Sequence, residues 1–296
     1  MAEPFVLVSR KRHRRRRVDQ QRGSQAGKRE DFTIQEPRMS EEKLLSFVRK
    51  GEGVQELASR AEEALRQLLS HRHLDCLSIQ EIVVYGIGSF TTCRMSRSQL
   101  ALICALRQRI GGSGVRVVAF DPILEAGEYS LLQRELDIDP IPRDEACKRS
   151  IQRSPGVVLF FMPHLDKGLY DNLLSVNWTK GQLERLVILG NSFSHMIDSW
   201  PTRVSRLECP FVLECVRLRL LREHSLPSID DSDDCFNDLS VQGFTSDHVS
   251  AEQLESARRS CEEGGRDADA GAAAPAPRYA ACDERCLRRC RCSRRQ

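Results

Sequence analysis

Seven glycine or polar residues stand where apolar runs end, and any binding or catalytic site of this chain would draw on them. Gly86, Gly88 and Ser89 follow EIVVY (81–85), Asp121 follows VRVVAF (115–120), His164 follows VVLFFM (157–162) and Pro163, and Asn191 and Ser192 come just after LVIL (186–189). The turn in VVYGIGSF (83–90) can bring backbone N–H groups up to a phosphate or carboxylate at the start of the next helix. Asp121 can accept hydrogen bonds from ligand hydroxyls. His164 can serve as a general acid or base or orient a ligand. Ser192 is the central residue of GNSFS (190–194), which nearly matches the nucleophile elbow GxSxG.

Each of these also has a plainer reading. The dinucleotide pattern GxGxxG breaks at Thr91, and Asp121 comes 33 positions after Gly88, whereas the ribose-binding acid of that pattern is expected about 20 on. Asp121-Pro122 is an ordinary way to end a strand. GNSFS closes on Ser194 in place of glycine, and the bases it would need, His195, His224 or His248, have no telling context. Four thiols, Cys282, Cys286, Cys290 and Cys292, could hold zinc as thiolates. Their spacing lacks paired CxxC knuckles, and the six arginines between 285 and 295 suit a solvated basic tail, so no metal site is expected.

Such residues act together only if regular elements hold them together. Val54, Leu57, Ala58, Ala61, Leu65, Leu68 and Leu69 recur at three- and four-residue spacing and predict an amphipathic helix. EIVVY is then a strand, SQLALICALRQRI (98–110) a helix stopped by Gly111, Gly112 and Gly114, and VRVVAF a second strand. A helix around 124–135 follows, and 136–154 gives no clear pattern. VVLFFM suits a central parallel strand covered on both faces. A helix near 168–176 and the strand LVIL repeat the unit. Pro210 opens a further helix through Leu221, with Phe211, Cys215 and Leu218 on its buried side, and SVQGF (240–244) reads as a last edge strand.

Strand and helix thus alternate four times. The inference is an α/β fold: three layers around a mostly parallel, doubly wound, Rossmann-like sheet. In such sheets ligands collect beyond the carboxyl ends of the strands, which is where the seven residues fall.

The 296 residues include 40% apolar and 29% charged side chains, enough for a core with part of the chain solvated. The net charge of +3 hides local asymmetry, with RKRHRRRR at 10–17 set against Asp230, Asp231, Asp233 and Asp234. Residues 1–40 carry few large apolar side chains and read as a disordered basic arm, 41–245 as the α/β domain, and 246–296 as a low-complexity Ala/Gly/Arg/Cys tail with no core face. Residues 10–17 could serve as a nuclear address or make weak contact with nucleic-acid phosphates, but with no aromatic residue among them they give no support for base stacking. No apolar stretch approaches the roughly 20 residues of a membrane span, and FVLV near the start is too short for a signal-peptide core. The expected location is the cytoplasm, and also the nucleus if the arm acts as an address. Most of the 12 cysteines are expected to be reduced thiols.

An ordered series of blocks carries a resemblance. VYGIGSF (84–90), SQLAL (98–102), FDP (120–122), FMPH (161–164), LYDNLL (169–174), NW (177–178), ILGNSF (188–193) and FNDLSV (236–241) together resemble the SRR-like domain, a family named after a plant protein whose loss reduces sensitivity to red light. The resemblance implies a regulatory role, linked to circadian timing and light signalling in plants and to clock-gene expression and heme biosynthesis in animals. It implies no established catalytic activity and no particular cofactor, and it points to protein partners of unknown identity. Because of the heme link, Cys209-Pro210 is noted as a pair able to supply a thiolate to heme iron, or simply to start a helix. The rival expectation is a transferase using a nucleotide or S-adenosylmethionine, held between Gly86 and Asp121 with His164 assisting.

Overall fold

The computed structural model describes residues 38–269 apart from 52, 155, 200 and 228–233. The basic arm with its 10–17 run, the aspartates at 230, 231 and 233, and the tail with its cysteine cluster from 270 onward lie outside the described residues.

Alternation in the strands builds two cores. In β4 (Val157–Met162), all six residues are buried: Val157, Leu159 and Phe161 face one way, and Val158, Phe160 and Met162 the other. A strand with both faces covered must be apolar throughout, and this one is. β1 (Ile79–Tyr85) splits the same way, Ile82 and Val84 against Val83 and Tyr85. The first face is covered by α1 (Glu41–Lys50), α2 (Gln55–Ser70), α3 (Arg94–Ile110) and α4 (Ala126–Leu136). The second is covered by α5 (Lys167–Val176), α7 (Phe193–Asp198), α9 (Pro210–Arg217) and α10 (Ala251–Asp269), with the short α6 (Lys180–Leu183) and α8 (Thr202–Glu208) between them.

The remaining strands are β2 (Arg116–Phe120), β3 (Ile138–Pro140), β5 (Leu186–Asn191), β6 (Leu221–Ser225) and β7 (Leu239–Phe244). They form one seven-stranded sheet in the order β3-β2-β1-β4-β5-β7-β6. All pairs from β3 to β5 are parallel, whereas β7 runs antiparallel to both its neighbours. Val83 pairs with Val118 on one side and Phe160 on the other, so the carboxyl ends of β1, β2 and β4 come out level. The order reverses between β1 and β4, the switch point at which doubly wound sheets leave a crevice.

The expected three-layer α/β architecture is thus the observed one. Three local expectations are corrected and one gap is filled. SVQGF is not an edge strand: β7 lies between β5 and β6, and its six residues are all buried. The helix expected to run to Leu221 stops at Arg217, and Leu221 starts β6, a short edge strand (LREHS) with too mixed a pattern to announce itself. Within 136–154 lies β3, pinned to the edge where Pro140 is tolerated. Finally, the folded domain does not end at 245, because α10 buries Leu254, Ala257 and Cys261 against the second face.

Candidate functional site

At the carboxyl ends of β1 and β2 the glycine turn is tied down by two buried acids. Asp121 Oδ2 accepts the Gly88 N–H at 2.8 Å and its Oδ1 accepts the Ile123 N–H at 2.9 Å. Glu128, from the first turn of α4, uses one oxygen to accept from the Ser89 hydroxyl at 2.9 Å, the Thr91 N–H at 3.0 Å and the Thr91 hydroxyl at 2.8 Å. Both carboxyls are 1% exposed. Burial pushes the Asp121 carboxyl above its ordinary range, its two N–H donors pull it back, and the nearby Glu128 pushes it further up. The break in GxGxxG now has a physical reason, since the Thr91 hydroxyl supplies a bond that glycine cannot. Gly86 has φ +73, and a Cβ there would come within 2.3 Å of Leu165 Cδ2, so only glycine fits under this leucine from the loop after β4. At the switch point Leu165 thus lies directly over Gly86.

At the ends of β4 and β5 the ties around His164 are neutral, while Glu223 of β6 accepts the Phe193 N–H at 2.9 Å and the Ser240 hydroxyl at 3.0 Å. Asn191 Oδ1 accepts the His164 N–H at 2.6 Å. The Tyr170 hydroxyl accepts the Asn191 N–H at 3.0 Å and donates to the Met162 carbonyl. A Cβ at Gly190 would meet that hydroxyl at 2.8 Å, which explains the glycine before Asn191. His164 Nε2 lies 2.6 Å from the Cys235 carbonyl. A carbonyl only accepts, so this bond fixes the ring proton on Nε2 and leaves Nδ1 as the acceptor of the neutral ring. His164 and Asp238, at neighbouring loop positions, both adopt left-handed backbone (φ 58 and 59), a cost that non-glycine residues bear only where the surroundings impose it. Burial raises the Asp238 carboxyl, while His195 and His164 nearby lower it.

Ser192 is not a nucleophile on this geometry. Its Oγ accepts the His195 main-chain N–H at 3.1 Å as the N-cap of α7, and its backbone is ordinary (φ −60), without the strain of an elbow. Among the described residues no imidazole is hydrogen-bonded to it, and His248 is occupied with the Leu218 carbonyl.

The structure thus brings Gly86, Gly88, Ser89 and Asp121 into one constellation, and His164, Asn191 and Ser192 into another. Between them the turn at Asp234–Phe236 acts as a bridge: its Cys235 carbonyl holds His164, and its thiol reaches the Met95 carbonyl at the start of α3 at 3.4 Å. Sequence reasoning missed Glu128, whose signal was a carboxylate three residues into a helix start, LEAGE. It also missed Asp171, which accepts the Phe211 and Val212 N–H groups at 2.7 and 3.1 Å at the start of α9 and is pushed up to about 7 by burial. Cys209 is wholly buried before α9 and its thiol is raised to about 12, so in this conformation it does not suit a thiolate ligand to heme. A groove of about 520 Å³ opens elsewhere, at the C-terminal ends of α3 and α4. Its arginines are engaged, Arg49 with Glu135, Arg107 with Asp137 and Arg109 with Glu62.

A doubly wound sheet with a self-tied polar carboxyl edge defines the class of domain. The model of the SRR1 domain matches residues 64–242, more than half of the chain, and the chain belongs to the SRR1 domain family. It is 31% identical over 156 residues to an SRR1-like protein of Mus musculus, covering 53% of this chain and 58% of that protein. It is 34% identical over 113 residues to the Arabidopsis thaliana protein Sensitivity to Red Light Reduced 1, covering 38% and 40% respectively. An SRR1-like protein of Drosophila melanogaster is 25% identical over 167 residues, covering 56% and 55%. The chain spans about half the length of the curated relatives it matches.

Proposed function

We propose that this chain is a regulatory protein of light- and rhythm-linked signalling that acts by binding rather than by turnover. The observation that carries this reading is the self-satisfaction of the edge: Asp121, Glu128, Asn191 and Ser192 spend their polar atoms on the protein's own backbone and hydroxyls. A catalyst keeps such groups aimed at the reacting atoms. The finer assignment, control of clock-gene expression and of heme synthesis, extends the family resemblance. We place the protein in the cytoplasm and, through residues 10–17, also in the nucleus. The test replaces the native chain in cells by Asp121→Ala and His164→Ala variants and follows a clock-reporter rhythm and heme content. Altered rhythm or heme at normal protein level is expected; unchanged values of both would sink a role for this edge. A chain lacking residues 1–30 should lose its nuclear fraction.

A second reading is favoured by the coincidence of the glycine turn, Asp121 and the switch point: a transferase whose ligand enters once Leu165 and the Cys235 bridge move aside. Two buried carboxylates at the turn oppose a phosphate, so a nucleotide suits it poorly, while the sulfonium and ribose hydroxyls of S-adenosylmethionine suit it well. Thermal-shift measurements with S-adenosylmethionine and with ATP separate the two. Stabilisation by the former alone, lost in Asp121→Asn, supports this reading, and stabilisation by neither removes it.

A further inference from the structure

The NW block of the family, Asn177-Trp178, has no part in the carboxyl edge. Asn177 is fully buried, accepts the Ile151 N–H at 2.9 Å and donates to the Arg149 and Leu173 carbonyls at 2.9 Å, so the following residue is rigidly presented. Trp178 packs edge-on to Phe211 of α9, with ring centroids 5.0 Å apart at 72°, and its indole N–H donates to the main-chain carbonyl of Leu254 at 3.0 Å. A buried indole N–H needs an acceptor, and a helix carbonyl is one that any docked helix can supply, whatever its side chains.

The helix that supplies it is weakly committed to the fold. α10 lies against α8 and α9 through a single stripe, Leu254, Ala257 and Cys261, while Glu252, Gln253, Glu255, Arg259, Glu262 and Glu263 face solvent. Over 251–263, where the side chains are described, one leucine and two small residues are a thin anchor. Gly264-Gly265 lowers its helix propensity further, and an isolated helix of this length is marginal in water. The domain match, 64–242, covers Trp178 and Phe211 and stops before the helix lying on them.

We propose that the Trp178 groove is a helix-docking site and that α10 is its resident, releasable occupant. The groove takes an amphipathic helix with a Leu-x-x-small-x-x-x-small stripe, by helix-in-groove recognition. In this chain the site is filled in cis, so a partner helix must compete with α10, and the C-terminal segment sets access to the domain. This inference does not depend on the reading of the carboxyl edge.

The test uses the full chain. In the wild type, hydrogen exchange should show α10 amides at least about tenfold less protected than those of α9 or β4, because α10 opens locally. Leu254→Asp should free α10 while the domain still melts cooperatively. A labelled synthetic peptide of residues 246–269 should then bind this variant saturably, and the wild type at least about tenfold more weakly, the margin expected when a cis occupant competes. Adding Trp178→Phe, which keeps an aromatic ring but removes the N–H and part of the contact with Phe211, should weaken the peptide again. Concentration-dependent dimers of the wild type would support the same site, with α10 of a second copy as the occupant. The proposal is overturned if α10 exchanges only with the sheet, if Leu254→Asp no longer folds, or if that variant folds and ignores the peptide; any of these would make α10 a fixed part of the domain.

Discussion

At β1 and β2 the carboxyl edge is tied by two acids, Asp121 and Glu128, accepting from main-chain N–H groups and hydroxyls. At β4 and β5 the loop that carries His164 is fixed by neutral groups, Asn191 and Tyr170, and the one acid, Glu223, holds the start of α7 through the Phe193 N–H. The acidic half gathers charge that burial makes costly, so its bonds cannot be removed singly without leaving a carboxylate or an N–H unpaired. The neutral half instead holds two left-handed non-glycine residues, His164 and Asp238, beside its edge. One half stores electrostatic cost and the other conformational cost, borne on two loops, at His164 and Asp238.

The sharpest break of this contrast is Glu128→Ala. It leaves the Thr91 N–H and the hydroxyls of Thr91 and Ser89 without their acceptor, and should cost about 3–5 kcal/mol in urea denaturation at unchanged m. Glu128→Gln, which keeps one oxygen, should recover part of the loss. Asn191→Ala on the neutral side removes the acceptor of the His164 N–H and should cost less, about 2–3 kcal/mol. If Asn191→Ala proves the more damaging, the two halves are not tied as their bonds suggest.

Much of this architecture could be read from the chain. VVLFFM announced a central strand because only a doubly covered strand can be apolar at every position, and the glycine turn followed from a second apolar run, EIVVY, ending at Tyr85. The polar residues at strand ends were legible as a group, but their bonds were not. Nothing in the residue types says that Asp121 faces Gly88 across 33 positions or that Leu165 covers Gly86. β6 and β7 were misread because pairing is long-range: LREHS becomes a strand only by lying beside β7. α10 was hidden by its composition, since three buried positions among many charges look like a solvated tail until Trp178 is placed beside them.

His164→Ala tests the neutral half more gently. It removes the bond from Nε2 to the Cys235 carbonyl and leaves alanine in the same left-handed backbone, at a cost of about 1–2 kcal/mol. The expected signature is local: Cys235, fully buried in the folded chain, should react faster with a thiol reagent while the global melt moves little. His164→Gly should be milder in stability, since glycine accepts that backbone, yet equally open at Cys235. Slow labelling of Cys235 in both variants would mean that the Met95 contact, not His164, holds the bridge.

The smallest effect concerns pH and is read at Asp121 in the acidic half. The Asp121 carboxyl is raised above 3.8 in the folded chain, chiefly by burial, so over the range above 3.8 the folded state holds a proton that the unfolded state has released. The stabilisation from that proton is complete below 3.8 and is lost as pH rises through the folded value. Asp121→Asn cannot titrate, and its melting temperature should therefore fall less steeply with rising pH across this window than that of the wild type, even though the variant is less stable throughout because its amide N–H₂ faces one of the two main-chain donors. Asn191→Ala should keep the wild-type slope. Parallel slopes in wild type and Asp121→Asn would mean that the N–H bonds from Gly88 and Ile123 offset burial, so that Asp121 is ionised at neutral pH, which would strengthen the case for a cationic ligand at this turn.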